Sequence, residues 1–202
     1  MLKMPNVTLV TIITRQHHLG KESLLNFTQA VEFRDIVVFT DKVNEFPGHC
    51  IQVSPRSRRD WCVWRLTQFP KYRGRFANHI LFTESDSRIV NPAAWTDEFY
   101  QCDYIGAPWH GGRVGNGGFS LQSQRLLASL ESFKIPALPA VCYPCDGRIC
   151  KFYRPSLEKL GCKFASTELA NKFSNECGEY LGAFGVHSWY MIGKAREKGF
   201  LK

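Results

Sequence analysis

The chain has 202 residues, of which 44% are hydrophobic and 13% aromatic, so it can bury a substantial core and is not disordered. Its 26 lysines and arginines against 18 acidic residues give a formal net charge of +8, which favours anionic partners over cationic ones. A phosphate-bearing substrate, a nucleic acid and an anionic membrane all satisfy that charge. The length predicts a single domain over residues 1–202.

The first predicted strand is an apolar run at residues 7–13 that is rich in β-branched side chains. The run is too short to span a membrane and no signal-peptide cleavage region follows it, so we expect a cytoplasmic protein without a membrane span. The strand leads into Thr14-Arg15-Gln16-His17-His18, and such a loop of an α/β sheet is where phosphate groups bind. Arg15 is the candidate for a phosphate contact, because a guanidinium matches phosphate geometry. His17 and His18 fit a solvent-facing loop equally well.

A helix and a second strand follow and complete a βαβ unit. Apolar residues recur with a helical period across residues 21–31, and residues 36–39 form a second continuous apolar strand. The crossover between these parallel strands is expected to be right-handed. Asp41 lies at the carboxyl end of the second strand. It is a candidate to accept a hydrogen bond from a ribose hydroxyl or a base, or else to cap a turn.

Residues 54–75 form a basic stretch with aromatic residues between the charges. The stretch and its immediate edge contain Arg56, Arg58, Arg59, Trp61, Trp64, Arg65, Phe69, Lys71, Tyr72, Arg73, Arg75 and Phe76. Such a stretch can bind a nucleic-acid strand through phosphate contacts and base stacking. It can equally be the solvated face of an amphipathic helix that packs on the sheet.

Two acids follow the next predicted strand. Residues 80–82 are a short apolar run typical of a buried parallel strand, and Glu84 and Asp86 come directly after it. The strand therefore places two carboxylates at the carboxyl edge of the sheet, where open α/β sheets bind their ligands. Asn91-Pro92 then predicts a helix start, with Asn as N-cap and Pro at the first helical position.

A glycine-dense turn at residues 111–118 lies between two short predicted strands, at residues 104–107 and 119–121. Five glycines in eight residues exceed the needs of one tight turn. They let the backbone approach something closely, and a bound ligand is the natural candidate. A helix with four inward apolar residues is predicted at residues 122–133, followed by a proline-containing loop at residues 135–144.

The cysteines and the C-terminal third carry weaker signals. Cys142, Cys145 and Cys150 lie close together, but their spacing is not that of a standard zinc site, so they are either reduced core residues or a metal cluster. Further helices are predicted at residues 153–160, 168–172 and 189–202, the last of them basic.

Seven motifs that run in order through most of the chain resemble those of a GT-A-type nucleotide-sugar glycosyltransferase. They resemble most closely a little-characterised glycosyltransferase-like family of bacteria, fungi and viruses. The motifs are Thr-Arg-Gln-His (14–17), Val-Phe-Thr-Asp (38–41), Asn-Pro-x-x-Trp-Thr-Asp-Glu-Phe (91–99), Asp-Tyr-Ile-Gly-Ala-Pro-Trp (103–109), Gly-Asn-Gly-Gly-Phe-Ser-Leu (115–121), Tyr-Arg-Pro-x-Leu-Glu (153–158) and Phe-Gly-x-His (184–187). The resemblance implies a mixed α/β sheet flanked by helices, in a single Rossmann-like GT-A domain.

The resemblance also implies a metal-dependent transfer of a sugar from a nucleoside diphosphate donor, with UDP as the expected nucleotide. Asp86 matches the metal-binding acid of the Asp-x-Asp motif, Glu84 departs from the commoner Asp, and His187 matches a late histidine that completes the metal site. The ion would be Mn²⁺ or Mg²⁺, which prefer oxygen ligands. The implied donor-binding residues are Thr14, Arg15, Asp41, Glu84, Asn116, Gly117 and Gly118.

By the same resemblance, Asp146 matches the second acid of the pair that supplies the general base of inverting enzymes, and Cys145 replaces the first. Trp109 would offer an apolar face to a sugar or base. The acceptor is open: the charge and the basic stretch favour a hydroxymethylated base in DNA, contacted by Arg58 and Arg59, while polysaccharide and small metabolites are alternatives. A non-catalytic nucleic-acid-binding module on the same fold is the competing interpretation. If the source is viral, the compartment would be the host cytoplasm.

Overall fold

The computed structural model describes residues 1–132 and 144–201. Its centre is a six-stranded mixed sheet with the strand order β3-β2-β1-β4-β7-β6. The strands are β1 (Leu2–Ile13), β2 (Val31–Thr40), β3 (His49–Gln52), β4 (His79–Thr83), β6 (Tyr104–Gly106) and β7 (Phe119–Ser123). Strands β3, β2, β1 and β4 are parallel, whereas β7 is antiparallel to both β4 and β6. The predicted mixed α/β sheet is confirmed.

Both faces of this sheet are buried, which explains why its central strands are continuously apolar. In β4, Leu81 packs into one core cluster, while Ile80 and Phe82 pack into another on the opposite face. The first cluster includes residues of α1 (His17–Ala30) and α6 (Thr167–Phe173). The second is covered by α2 (Arg58–Thr67), the 3-10 helix Phe69–Arg75 and α3 (Gln124–Ser132).

A second, three-stranded sheet lies beside the first and has the order β5-β9-β8. It consists of β5 (Ser87–Ile89), β8 (Ser174–Asn175) and β9 (Gly185–His187). The remaining elements are the 3-10 helices Pro92–Ala94 and Asp97–Gln101, α4 (Cys145–Gly147), the π-helical segment Arg148–Tyr153, α5 (Arg154–Lys159) and α7 (Trp189–Glu197). None of the described helices combines the length and the hydropathy needed to cross a bilayer.

Several predicted element bounds are wrong, and the local chemistry explains two of them. The helix expected at residues 122–133 begins only at Gln124, because the Ser123 hydroxyl accepts from the Leu126 amide and caps the helix there. Phe133 and the loop residues 135–143 lie outside the described part of the chain. The C-terminal helix ends at Glu197, just before Gly199, which has a φ of 78° typical of a helix C-terminus.

The helix predicted to start at Asn91-Pro92 is only the 3-10 turn Pro92–Ala94. The Asn91 side chain does not cap it, because its amide donates to the Gly182 carbonyl instead. Asp146-Gly147, whose sequence is also typical of a turn, lies in α4 at the start of an unbroken helical segment that ends at Lys159.

The aromatic residues of the basic stretch belong to the core. Phe69 and Phe76 are buried, and Trp61, Trp64 and Tyr72 pack against the same cluster beneath the sheet. They therefore do not form an exposed platform for stacking bases. The seven described cysteines are all free, and Cys150 and Cys162 are buried in the core. Cys142 lies outside the described residues.

Candidate active site

Strand pairing brings three distant loops together at the carboxyl edge of β4. Because β7 is antiparallel to β4, its first residue Phe119 lies opposite Thr83, and the Glu84 amide donates to the Gly118 carbonyl at 2.8 Å. The second sheet contributes the third loop, since the β5–β9 register places His187 opposite Ser87. The acidic loop, the glycine loop and the late histidine therefore meet at one edge, although they lie far apart in sequence.

Glu84, Asp86 and His187 form a cluster in which one potential ligand atom from each lies within 4.8 Å of the others. The His187 Nε2 atom is 3.2 Å from Asp86 Oδ1 and 3.9 Å from Glu84 Oε2. That nitrogen is buried, and apart from its short contact with the Asp86 carboxylate it has no well-aligned hydrogen-bond partner among the described residues. Two carboxylates around an imidazole nitrogen with no well-aligned hydrogen-bond partner form a donor set suited to a divalent cation. We call these three residues the metal triad.

Asn116 and Glu176 hold the other nitrogen of the His187 ring. Asn116 Nδ2 lies 2.9 Å from His187 Nδ1, and its Oδ1 accepts from the Gly118 amide, which fixes the orientation of the side chain. Glu176 Oε1 is 3.4 Å from the same Nδ1 atom. Burial opposes protonation of His187, but Asp86, Glu176 and Glu84 outweigh it and raise its pKa to about 10. Anions therefore surround this ring on both sides.

Three of the five glycines of the 111–118 turn, Gly115, Gly117 and Gly118, leave room for the site's own side chains. A Cβ atom on Gly118 would lie 2.2 Å from His187 Nε2, and one on Gly117 would lie 2.7 Å from Asp146 Cβ. A Cβ atom on Gly115 would lie 2.3 Å from the Trp109 ring. The sequence predicts that the backbone of this turn comes close to a ligand. In the structure it comes close to side chains that line the site.

Asp146 faces the same space from the start of α4. Its Oδ2 accepts from the Gly117 amide at 3.1 Å and its Oδ1 from the Gly147 amide at 2.7 Å. Desolvation raises the pKa of Asp146, and these two amides only partly oppose the shift. Desolvation likewise raises the pKa of Glu84. The carboxylate of Asp146 is therefore held in a fixed position with a basicity above that of an exposed aspartate.

These groups surround a cavity of about 830 Å³, which we call the large cavity. A second cavity of about 270 Å³, the small cavity, adjoins it, because Arg58, Trp61 and Glu84 line both. The predicted residues Trp109, Asn116, Gly117, Gly118, Asp146 and His187 line the large cavity. Thr14 and Arg15 line the small cavity. Most predicted site residues are therefore brought together around one continuous space.

Three predicted residues line neither cavity: Asp86, which belongs to the metal triad, and Asp41 and Arg59, which lie elsewhere. The Asp41 carboxylate pairs with the His17 ring at 2.8 Å, and Asp41 is not among the residues that line either cavity. This hydrogen bond lowers the pKa of Asp41. Arg59 is exposed and lines neither cavity, whereas its neighbour Arg58 lines both.

Sequence reasoning missed Arg65 and Glu176, which both line the large cavity. Arg65 is a buried charge on α2, and its position was detectable. It lies four residues after Trp61 and four before Phe69, which is the spacing of the apolar face of a helix. Glu176 follows the two-residue strand β8, and no local pattern singles it out.

Solved structures with low sequence identity share this fold. A glycosyltransferase involved in the glycosylation of the major capsid of PBCV-1 is 12% identical with a TM-score of 0.55, over 95% of this chain and 98% of its own. The galactosyltransferase LgtC, in complex with donor and acceptor sugar analogues, is 11% identical with a TM-score of 0.54, over 96% and 94%. The mannosyltransferase PcManGT from Pyrobaculum calidifontis, in complex with GDP-Man and Mn²⁺, is 13% identical with a TM-score of 0.50, over 81% and 56%.

These likenesses confirm the expected GT-A-type glycosyltransferase fold. No curated protein matches the sequence. A family profile matches residues 69–187, more than half of the chain, and this segment includes the acidic loop, the glycine loop, Asp146 and His187. The chain therefore belongs to the family described as Protein of unknown function (DUF5672).

Proposed function

We propose that this protein is a metal-dependent glycosyltransferase that moves a sugar from a nucleoside diphosphate donor, with UDP as the expected nucleotide, to an acceptor hydroxyl. The observation that carries the proposal is the metal triad, of which Glu84 lines both cavities and His187 lines the large one. A site that binds a cation between a small and a large cavity suits a donor whose diphosphate joins a nucleoside to a sugar. The shared fold is consistent with that use but does not by itself assign it.

The triad residues fit a divalent cation, because His187 Nε2 is buried without a well-aligned hydrogen-bond partner among the described residues and lies beside two carboxylates. The carboxylate oxygens suit Mg²⁺ and Mn²⁺ alike, whereas the imidazole nitrogen favours Mn²⁺. When bound, the cation would neutralise charge on the leaving diphosphate. Asn116 and Glu176 would keep the His187 ring in place through its Nδ1 atom.

In the proposed donor position, Thr14 and Arg15 contact the nucleotide in the small cavity, and the sugar lies in the large cavity against Trp109 and Asn116. Arg58, which lines both cavities, is placed to contact the diphosphate between them. Asp41 is left out of this arrangement because its carboxylate pairs with His17.

The proposed reaction inverts the anomeric carbon, with Asp146 as the general base. The acceptor oxygen forms a bond to the anomeric carbon as the bond from that carbon to the diphosphate oxygen breaks. The acceptor proton passes to the Asp146 carboxylate, and the nucleoside diphosphate leaves. The two backbone amides that hold Asp146 and its raised pKa support this role.

The acceptor is proposed to be a sugar hydroxyl, with a hydroxymethylated DNA base as the alternative. The net charge of +8 and Arg58 at the junction of the cavities support DNA. The core position of Trp64, Phe69 and Tyr72 speaks against a stacking platform. A salt titration of DNA binding separates the two, because phosphate contacts weaken steeply with salt.

The test of the function is release of nucleoside diphosphate from a panel of UDP- and GDP-sugars with Mn²⁺ or Mg²⁺. We expect release from a single donor or a small group, a dependence on the metal, and loss of release in Asp86→Ala. Asp35→Asn, which changes a half-buried aspartate on β2 far from the site in sequence, is the matched control. Absence of release across the panel, with salt-sensitive DNA binding intact, would support the non-catalytic nucleic-acid-binding module instead.

A further inference from the structure

The wall of the large cavity contains a buried positive charge that forms no ion pair with any of the described residues. The side chain of Arg65 is only 3% exposed and lies among the lining residues of the cavity. Its guanidinium carbon is 3.7 Å from the centre of the Phe82 ring and 4.1 Å from that of Phe69. The two ring centroids are 5.6 Å apart and the rings are inclined at 80° to each other, so they flank the guanidinium from two different sides and hold it in place.

Among the described residues, no carboxylate oxygen lies close enough to a nitrogen of Arg65 to form an ion pair. Other residues of the chain do form such pairs, for example Arg125 with Asp103 at 4.0 Å and His187 with Asp86 at 3.2 Å. Residues 133–143, which are not described, contain no aspartate or glutamate in the sequence. The Nη1 atom is buried and has no hydrogen-bond partner among the described residues. Glu84 belongs to the metal triad, and Asp146 already accepts from two backbone amides.

An unpaired buried charge is costly, and nearly all buried polar groups in native proteins have a partner. Removing one partner of a buried ion pair strongly destabilises a protein, because the other charge is left buried and unpaired. A charge kept in this state at the wall of a cavity points to a partner that arrives with the ligand.

The position of Arg65 shows which part of the ligand would meet it. Arg65 lines only the large cavity, on the side of Trp109 and Asp146, whereas Arg15 lines only the small cavity. In the proposed donor position the diphosphate lies at the metal triad between them. Trp109, against which the sugar is proposed to lie, lines the same cavity as Arg65, so we assign the group that reaches Arg65 to the sugar.

We propose that Arg65 pairs with a carboxylate on the donor sugar, so that the preferred donor is a nucleoside diphosphate uronic acid. This inference rests on the proposed function. A carboxylate can accept two parallel hydrogen bonds from the edge of a guanidinium and cancels its charge, whereas a sugar hydroxyl offers one uncharged acceptor. The phenylalanine rings exclude water from this pair, which strengthens it.

The test is equilibrium binding of donors that differ only at C6, measured with Mn²⁺ present and without any requirement for turnover. The matched pairs are UDP-glucose with UDP-glucuronic acid, UDP-galactose with UDP-galacturonic acid, and GDP-mannose with GDP-mannuronic acid. For at least one pair we expect the acid to bind about tenfold or more tightly than the neutral sugar, the range of a charge-assisted hydrogen bond.

Two variants of Arg65 and one control variant test whether Arg65 causes the tighter binding of the acidic donor. Arg65→Met should abolish the difference in affinity between the acid and the neutral sugar. Arg65→Lys keeps the charge without the planar fork and should keep only part of the preference. Arg34→Met removes an exposed arginine on β2 and should change nothing, which excludes an effect of net charge.

The outcomes are distinct. Equal binding of the neutral and acidic members of every pair overturns the inference while the proposed function stands. A preference for the acid that survives in a folded Arg65→Met protein overturns the role of Arg65. Absence of Mn²⁺-dependent binding for all six donors overturns the proposed function itself. Because the first comparison uses the wild-type protein, it holds even if the Arg65 variants fold poorly.

Discussion

Two arginines of this protein are almost equally buried, and they differ in what surrounds them. Arg88, in β5, is 5% exposed; its Nη1 donates to the Ser85 and Ser87 carbonyls, and its Nη2 lies 3.5 Å from Glu22. Arg65, in α2, is 3% exposed and has two aromatic rings but no ion-pair partner among the described residues. The described residues supply hydrogen-bond and ion-pair partners for Arg88 but no ion pair for Arg65.

The same contrast separates other groups of the molecule. The buried Ser87 hydroxyl donates to the Gly118 carbonyl at 2.6 Å, so the fold alone accounts for it. His187 Nε2 is as deeply buried but lacks a well-aligned hydrogen-bond partner among the described residues, and it lies beside two carboxylates. Buried polar atoms without a hydrogen-bond partner also occur away from the cavities, at His79 and Ser174, so the lack of a partner is informative only where the group lines a cavity, as His187 does.

The largest effect is expected for Asp146, which is held by the fold yet faces the cavity. Asp146→Asn removes the proton acceptor, so kcat should fall by about 10² to 10⁴-fold, the usual contribution of a general base. Donor affinity should stay close to that of the wild type. Transfer rates and donor binding measured side by side check this, and an unchanged kcat would remove Asp146 from the proposed reaction.

Replacing Arg88 and replacing Arg65 are expected to have opposite effects on the free energy of unfolding. Arg88→Met leaves two carbonyls without their donor and should lower the free energy of unfolding by about 2–4 kcal/mol. Arg65→Met replaces an unpaired buried charge with an apolar side chain and should leave the stability of the ligand-free protein unchanged or slightly higher. Urea unfolding of both variants measures the difference. A large loss in Arg65→Met alone would show that its charge serves the fold.

A single methyl group should disturb the metal triad. Gly118→Ala would place a Cβ atom 2.2 Å from His187 Nε2 and force the ring away, so Mn²⁺ affinity should fall about 10 to 100-fold. Gly193→Ala in α7 is the matched control, since a Cβ atom there has no neighbour within 4 Å among the described residues. Calorimetric Mn²⁺ titrations compare the two. Equal affinity in both variants would contradict the assigned position of His187.

The smallest effect is expected for Asp41. Because its carboxylate pairs with His17 and it is not among the residues that line the cavities, Asp41→Asn should change donor affinity by no more than about twofold. The donor titration described above measures it. A loss of tenfold or more would return Asp41 to the ribose contact predicted from the sequence.

The sequence predicts the strands and the acidic loop well because their signals are local. A continuous apolar run followed by Glu84 and Asp86 is enough to place two carboxylates at the edge of a sheet. His187 is predicted only through the family resemblance, because no local sequence pattern indicates the β5–β9 pairing that brings it to Asp86.

The remaining site features depend on contacts that no local pattern encodes. Gly115, Gly117 and Gly118 are close to Trp109, Asp146 and His187, which is visible only in three dimensions. By composition alone, Arg65 is one of several basic residues in its stretch. Its helical spacing from Trp61 and Phe69 nevertheless puts it on the buried face of α2. The general lesson is that a charge at an apolar position of a helix is a better site signal than a cluster of charges.

The most direct test of the account is Mn²⁺ binding by the purified protein, followed by electron paramagnetic resonance as free Mn²⁺ is lost. We expect the protein to bind one Mn²⁺ per chain in the presence of a nucleoside diphosphate. This binding should be lost in Asp86→Ala and kept in Asp35→Asn. Binding that is absent from the wild type, or that persists unchanged in Asp86→Ala, would contradict a metal site at Glu84, Asp86 and His187.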